Sequence, residues 1–505
     1  MYLLEFRHVT LTMKDTGRCL VRDFNFVLNG GDKAAIIGEE GDGKSTLLKF
    51  AHDPALIAPY CDAQGEVYKG GARTAYLQQE CPQQVKEQPI SALFGDLEDW
   101  SSLYINAGGL GVDVDLFFSD RPLGTLSGGE NLKLRLLYLL AQQPDVLLLD
   151  EPTNDIDLPT LEWMERLILS LRQPVLYVSH DETLLERTAG TIVHLEQVRR
   201  KTLPRWTVER TGYASYVARR LAALEKQEQI ARKEQSEHQA KEERWQQIYN
   251  KVNHQLSTIS RQDPHGGRLL KKKMASVKAQ GRRIEKEGQN LTQIPDVEDA
   301  VDFLFEEVTL PRGKRILELD LPELKIQGRL LARQVSLSVT GPVHVGITGA
   351  NGVGKSTLLR YLAKELVPRK DIRTGVMPQN YEEILSGGVT PVQLLAPDGD
   401  KASLTQARTY LGCMRYTHEE MTRPASELSG GQKAKLLILS LILGRYNVLL
   451  LDEPTRNFSP LSNPVLRQAL DQYGGAWLAV THDRKLLEIC HEVYELGENG
   501  LTRVR

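Results

Sequence analysis

One ordered series of motifs runs through this chain twice, and such a duplication limits the fold before any single residue is interpreted. Each half carries a glycine-rich Lys-Ser-Thr loop, a lone Gln, Leu-Ser-Gly-Gly, Leu-Leu-Leu-Asp-Glu-Pro-Thr and then a His-Asp pair. The spacing repeats too: Gln79 to Ser127 is 48 residues and Gln379 to Ser429 is 50. A repeat this long means two like domains rather than a solenoid of short units. At 505 residues the chain exceeds one hydrophobic core, and ordinary domain size suggests roughly three units. We place them at residues 1–206, 207–298 and 299–505. Short apolar runs at residues 34–37, 146–149 and 175–178 alternate with longer amphipathic stretches, the pattern of an α/β layer with mainly parallel strands.

Between the halves the texture changes to Lys, Arg, Glu and Gln at a helical period, which predicts a helical hairpin. Val217, Leu221 and Leu224, then Trp245, Ile248, Val252 and Leu256, mark one arm. Met274, Val277, Gly281 and Ile284 form a narrow seam on the other. Residues 257–268, with Asp-Pro-His-Gly-Gly at 263–267, read as the turn.

Composition narrows the class. Hydrophobic residues at 41% and charged ones at 26% exclude a disordered chain. Five cysteines without CxxC spacing suit a reducing cytosol better than a disulfide scaffold. The most apolar stretches, 132–149 and 436–451, are broken by Lys133, Arg135, Asp145 and Arg445, so no membrane span is expected. Residues 1–5 lack a signal peptide's basic and apolar regions, so a cytoplasmic protein is expected.

The chemistry begins at the loops. Gly38-Glu39-Glu40-Gly41-Asp42-Gly43-Lys44-Ser45-Thr46 and Gly349-Ala350-Asn351-Gly352-Val353-Gly354-Lys355-Ser356-Thr357 both satisfy the P-loop pattern between an apolar strand and a helix-like run. Glycines let backbone N–H groups converge on phosphates, the lysine neutralises β/γ oxygens, and the serine hydroxyl reaches Mg²⁺. Asp150-Glu151 and Asp452-Glu453 end four-residue apolar strands, with the aspartate suited to Mg²⁺ and the glutamate to polarising a water. His180 and His482 each follow 29 residues later, placed to sense a γ-phosphate. Ser127-Gly128-Gly129 and Ser429-Gly430-Gly431 open amphipathic helices and offer a second phosphate grip.

Together these motifs resemble the ATP-binding cassette superfamily, with Gln79 and Gln379 at the position of its glutamine loop. The resemblance implies two P-loop cassette domains in tandem, joined by an α-helical hairpin, with ATP and Mg²⁺ as ligands. It also implies a head-to-tail sandwich in which each signature completes the opposite site. Lys44, Ser45, Gln79, Asp150, Glu151 and His180 then join Ser429 and Gly431. Lys355, Ser356, Gln379, Asp452, Glu453 and His482 join Ser127 and Gly129. Ser45, Gln79 and Asp150, and Ser356, Gln379 and Asp452, are the implied Mg²⁺ ligands.

Two cassettes linked by a charged hairpin look like the ABC-F proteins, which act on ribosomes. Glu151-Pro152-Thr153-Asn154, Gly212-Tyr213-Ala214-Ser215-Tyr216 and a basic segment at 261–283 carry that resemblance. Charge supports it independently. Residues 251–290 hold ten basic and three acidic residues, a net of +7; with the chain at -3, the rest sums to -10. Positive charge focused on one element suits a polyanion, with Arg261, Arg268, Lys271, Lys272, Lys273 and Lys278 as candidate RNA contacts. The resemblance implies a partner ribosome, rRNA and tRNA included, a hairpin directed toward the peptidyl-transferase region, and a monomer closed on itself. It leaves open a translation factor or a factor for resistance to ribosome-targeting antibiotics. A cytosolic tandem ATPase subunit of a transporter is the alternative reading, and a DNA-associated ATPase ranks below it.

The chain also departs from the pattern. Where the family commonly reads Asn-His-Leu-Asp after Pro-Thr, residues 154–157 read Asn-Asp-Ile-Asp and residues 456–459 read Arg-Asn-Phe-Ser. Glu40 and Asp42 add two negative charges to the first P-loop, which is expected to weaken nucleotide binding unless cations offset them. Residues 11–18 and 310–315 contain no aromatic to stack on adenine.

Overall fold

The computed structural model describes residues 2–97, 100–154, 156–198, 202–258, 264–292, 308–326 and 328–505. Two compact units result: residues 1–216 with 301–505, and residues 217–300.

The first unit contains two six-stranded sheets of one topology. Thr74–Leu77, Val146–Asp150, Val175–Val178, Lys33–Ile37 and Thr191–Val198 lie parallel in that order, and Leu203–Glu209 closes the edge antiparallel. In the second half the order is Thr374–Met377, Val448–Asp452, Ala476–Val480, His344–Thr348, Glu492–Gly497 and Gly500–Arg503. The central strands are apolar on both faces because helices cover each side, as parallel sheets require. Val146–Asp150 and Val448–Asp452 are buried at every position. The α/β expectation is therefore met twice. Leu203–Glu209 continues the first sheet three residues past position 206.

The linker tyrosines pack, as aromatics at helix starts commonly do. Tyr213 and Tyr216 are both buried. The Tyr213 hydroxyl donates to the Pro460 carbonyl at 2.8 Å, and Tyr216 meets His194 Nδ1 at 2.7 Å.

The second unit is the hairpin of Tyr213–Thr258, from position 217 onward, and Pro264–Gly288. Val252, Met274 and Val277 form its core with Trp245, Tyr249 and Leu256. Trp245 Nε1 donates to the Val277 carbonyl at 2.7 Å, and a Cβ on Gly281 would come within 2.6 Å of the indole, so glycine there lets the arms approach. The turn is shorter than the sequence suggests. His265, Gly266 and Gly267 are helical, because Pro264 takes the first helical position, where its fixed φ and missing N–H cost nothing. Leu221 and Ile248 are exposed rather than on the seam. Arg268, Lys271, Lys272, Lys273 and Lys278 are all exposed, and Arg261 lies outside the described residues, as do Asp155 and Asp263.

No helix among the described residues is long and apolar enough to cross a membrane. All five cysteines are free.

Candidate functional site

Both P-loops follow one backbone path because glycine stands where no side chain fits. A Cβ on Gly38 would lie 2.2 Å from the Leu195 carbonyl oxygen, and one on Gly349 2.4 Å from that of Leu496. Gly43 (φ 92°) and Gly354 (φ 111°) enter the left-handed region just before the helices Lys44–His52 and Lys355–Leu366, a conformation that favours glycine. Both lysines are buried and fold back over their loops. Lys44 Nζ donates to the Gly38 and Glu39 carbonyls at 2.8 Å, and Lys355 Nζ to Gly349 at 2.8 Å and Ala350 at 3.0 Å.

The buried strands deliver the acid pairs to these loops. Ser45 Oγ donates to Asp150 Oδ1 at 2.8 Å, and the Tyr76 hydroxyl to Oδ2 at 2.8 Å. Ser356 favours the ionised form of Asp452, whose Oδ1 is buried without a hydrogen-bond partner among the described residues. Burial raises both aspartates from their ordinary value. Glu151 and Glu453 have φ of 48° and 51°, strained values for a residue with a side chain and ones that cluster at functional sites.

The two glutamates differ in surroundings. Glu151 Oε1 lies 2.9 Å from His180 Nε2; burial opposes its ionisation, but His180 and Lys44 outweigh that and hold the carboxyl low. Glu453 Oε1 is 3.7 Å from His482 Nε2, and burial with the adjacent Asp452 pushes Glu453 up to about 8. Burial and Lys355 hold His482 down to about 4.

Ser127 and Ser429 cap the helices Gly128–Ala141 and Gly430–Leu443, each in a reciprocal box with Glu130 or Gln432. A cavity of about 550 Å³ is lined by Asn351, Gly352, Gly354, Lys355, Ser356, Thr357, Gln379, Asp452, Glu453 and His482, and by Gly128 from the other half. A second, of about 460 Å³, is lined by Gly41, Gly43, Lys44, Ser45, Thr46, Gln79, Glu151 and His180, with Arg456 and Asn457 from the other half. Both are composite. Ser127 and Gly129 do not line the first, nor Ser429, Gly430 and Gly431 the second; Gly38 and Gly349 sit behind their loops as lysine acceptors. The arrangement is suited to holding a polyphosphate between lysine, serine and carboxylate.

Several contributors have no local sequence signal. Tyr60, from the segment after the first P-loop helix, lines the 460 Å³ cavity with Met13 and Arg18, bringing to it an aromatic residue that residues 11–18 lack. Its carbonyl accepts from Lys14 N at 3.0 Å, which fixes it beside that segment. Ile326, Arg329 and Leu331 take the corresponding place at the other cavity without an aromatic. The extra P-loop acids are partnered: Asp42 is buried, accepts from the Glu39 N–H at 2.9 Å and lies 3.8 Å from Arg18, while Glu40 reaches the Gly431 N–H.

An ionic seam joins the halves beside these cavities. Arg467 is bidentate to buried Glu182 at 2.6 and 2.9 Å, Lys485 reaches Glu182 at 3.3 Å and Glu186 at 2.5 Å, and Arg484 pairs with Glu165. Arg467→Ala leaves a buried carboxylate with a weaker partner, so a loss of about 3 kcal/mol is expected in urea unfolding. A change below about 0.5 kcal/mol would mean the seam is only a solvated surface pair.

Comparison with known proteins gives a consistent picture. Residues 21–154 and 332–456 match the family described as ABC transporter. The chain is 29% identical to the probable ATP-binding protein YheS of Escherichia coli strain K12, over 93% of this chain and 75% of that one. It is 28% identical to the ribosome protection protein VmlR of Bacillus subtilis strain 168, over 99% and 88%. The tylosin resistance ATP-binding protein TlrC of Streptomyces fradiae is also 28% identical, over 94% of each chain. Among solved structures, the fold is similar to that in the complex of archaeal ribosomal stalk protein aP1 and ribosome recycling factor aABCE1, with TM-score 0.60 and 17% identity, covering 99% of this chain and 90% of that one.

Proposed function

This chain belongs to the ABC transporter family, as an ABC-F member with two cassettes and ATPase activity, and from that premise we propose that it binds ribosomes in its ATP-closed state and is released by hydrolysis. The observation that carries the reading is the composite construction of both cavities, each lined by residues from the two halves. Nucleotide bound there bridges the halves, so occupancy and closure are one equilibrium.

Lys44 and Lys355 neutralise the phosphates, and Glu151 and Glu453 are the candidate bases for the attacking water, with His180 and His482 orienting them. Mg²⁺ fits the Ser45–Asp150 and Ser356–Asp452 pairs, where the buried Asp452 Oδ1 lacks a partner among the described residues, with Gln79 and Gln379 as further ligands. When bound, the ion supplies neutralisation of phosphate oxygens. The exposed cations of Pro264–Gly288 suit ribosomal RNA or tRNA. The relatives VmlR and TlrC carry names of ribosome protection and tylosin resistance, and they support translation-linked protection in the cytoplasm as this chain's role.

A variant with both Glu151→Gln and Glu453→Gln is expected to sediment with ribosomes in the presence of ATP, because closure then has no exit through hydrolysis. Sedimentation free of ribosomes at physiological salt would refute the reading.

A further inference from the structure

Two carboxylates of the first P-loop point away from their own loop and onto the signature helix of the other half. Glu40 Oε2 accepts a hydrogen bond from the Gly431 N–H, and Lys435 on the same helix pairs with Glu39 at 2.5 Å. The first N–H groups of Gly430–Leu443 are that helix's anion-binding end, where unpaired donors and the positive end of the dipole coincide. Here a protein carboxylate holds that end.

The site around Lys355 is built differently. Ala350 and Asn351 stand where the first loop has Glu39 and Glu40, and Gly128, opening the opposite signature helix, lines the cavity. The loops after the Pro-Thr pairs divide the same way. His180 Nδ1 donates to the Phe458 carbonyl at 2.9 Å, so the segment ending in Ser459 belongs with the Lys44 site. Ile156 lines the Lys355 cavity, so the segment ending in Asp157 belongs with the other. The acidic P-loop and the lost aspartate therefore fall on one site, although the sequence divides them between the halves.

Resting on the nucleotide-binding reading above, we propose that Glu40 makes the Lys44 site selective for nucleoside diphosphates over triphosphates. The loop and Lys44 hold the inner phosphates as in the other site. A terminal phosphate would have to displace Glu40 from the Gly431 N–H and settle beside a like charge; a diphosphate needs neither. Glu40 thus determines specificity without taking part in catalysis.

The test counts bound nucleotide by equilibrium dialysis with Mg²⁺, using labelled ADP and the non-hydrolysable β,γ-imido analogue of ATP. The full wild-type chain is expected to take two equivalents of ADP, but a second equivalent of the imido analogue at least about tenfold more weakly than the first. Lys44→Ala is expected to remove that weaker equivalent. Glu40→Asn, which copies Asn351 at an exposed position, is expected to bring the second analogue equivalent to within about threefold of the first and to tighten ADP binding by less than it tightens the analogue. Equal binding of two analogue molecules by the wild type, no change in Glu40→Asn, or loss of ADP binding in that variant would each overturn the proposal. Failure of the wild-type chain to bind either nucleotide would instead overturn the nucleotide-binding reading.

Discussion

Glu453→Gln is expected to lower steady-state ATP turnover by about 10²–10⁴-fold, the range a positioned general base contributes, whereas Glu151→Gln retains more than about half of the wild-type rate. The asymmetry comes from what surrounds two chemically identical glutamates. Both end buried strands in the same strained backbone conformation. Around Lys355 the P-loop is uncharged at 350 and 351, Gly128 lines the cavity, and Ile156 brings the segment ending in Asp157 to it. Around Lys44 the signature N–H is held by Glu40, and Ser459 replaces the acid. Hydrolysis requires a terminal phosphate gripped from both sides, and at the Lys44 site Glu40 already takes the Gly431 N–H that would supply part of that grip. Single-turnover and steady-state measurements on the two single variants decide the matter. Equal losses in both would mean that the sites turn over equivalently.

The second large effect concerns the hairpin. Reversing Lys271, Lys272 and Lys273 to Glu is expected to weaken ribosome binding by at least about 100-fold and to flatten the dependence of log K on log salt by about 2–3, since each phosphate contact contributes about 0.7–0.9 to that slope. All three are exposed, away from the Met274 and Val277 core, so the helix should fold unchanged. ATP turnover without ribosomes is the control and should stay at the wild-type value. An unchanged salt slope would assign the basic segment to a merely solvated face and remove RNA from its partners.

The first P-loop was legible from sequence because its chemistry is contiguous: Gly38 to Ser45 is one turn of chain that must fold around phosphate whatever surrounds it. The buried strands before Glu151 and Glu453 were legible for the same local reason. The hairpin's seam could be read at Met274 and Val277, but its turn could not, since Gly266 and Gly267 are poor helix formers that the Pro264 start and the packing of the arms override. Tyr60 has no local signal in the sequence, because the fold brings it to the cavity from the segment after the P-loop helix.

The sequence by itself determined that there are two α/β cassettes, that each carries phosphate-binding and acidic motifs, and that positive charge is gathered on the helices between them. Those properties depend on residues adjacent in the chain or at helix and strand periods. Only the tertiary structure decided which departures from the pattern share a site. Glu40 and Gly431 stand 391 positions apart, and His180 and Phe458 278 apart, so no local period or spacing relates them. They meet because two sheets of the same topology are packed so that each half finishes the other's cavity, and that pairing of surfaces is a property of the folded chain alone.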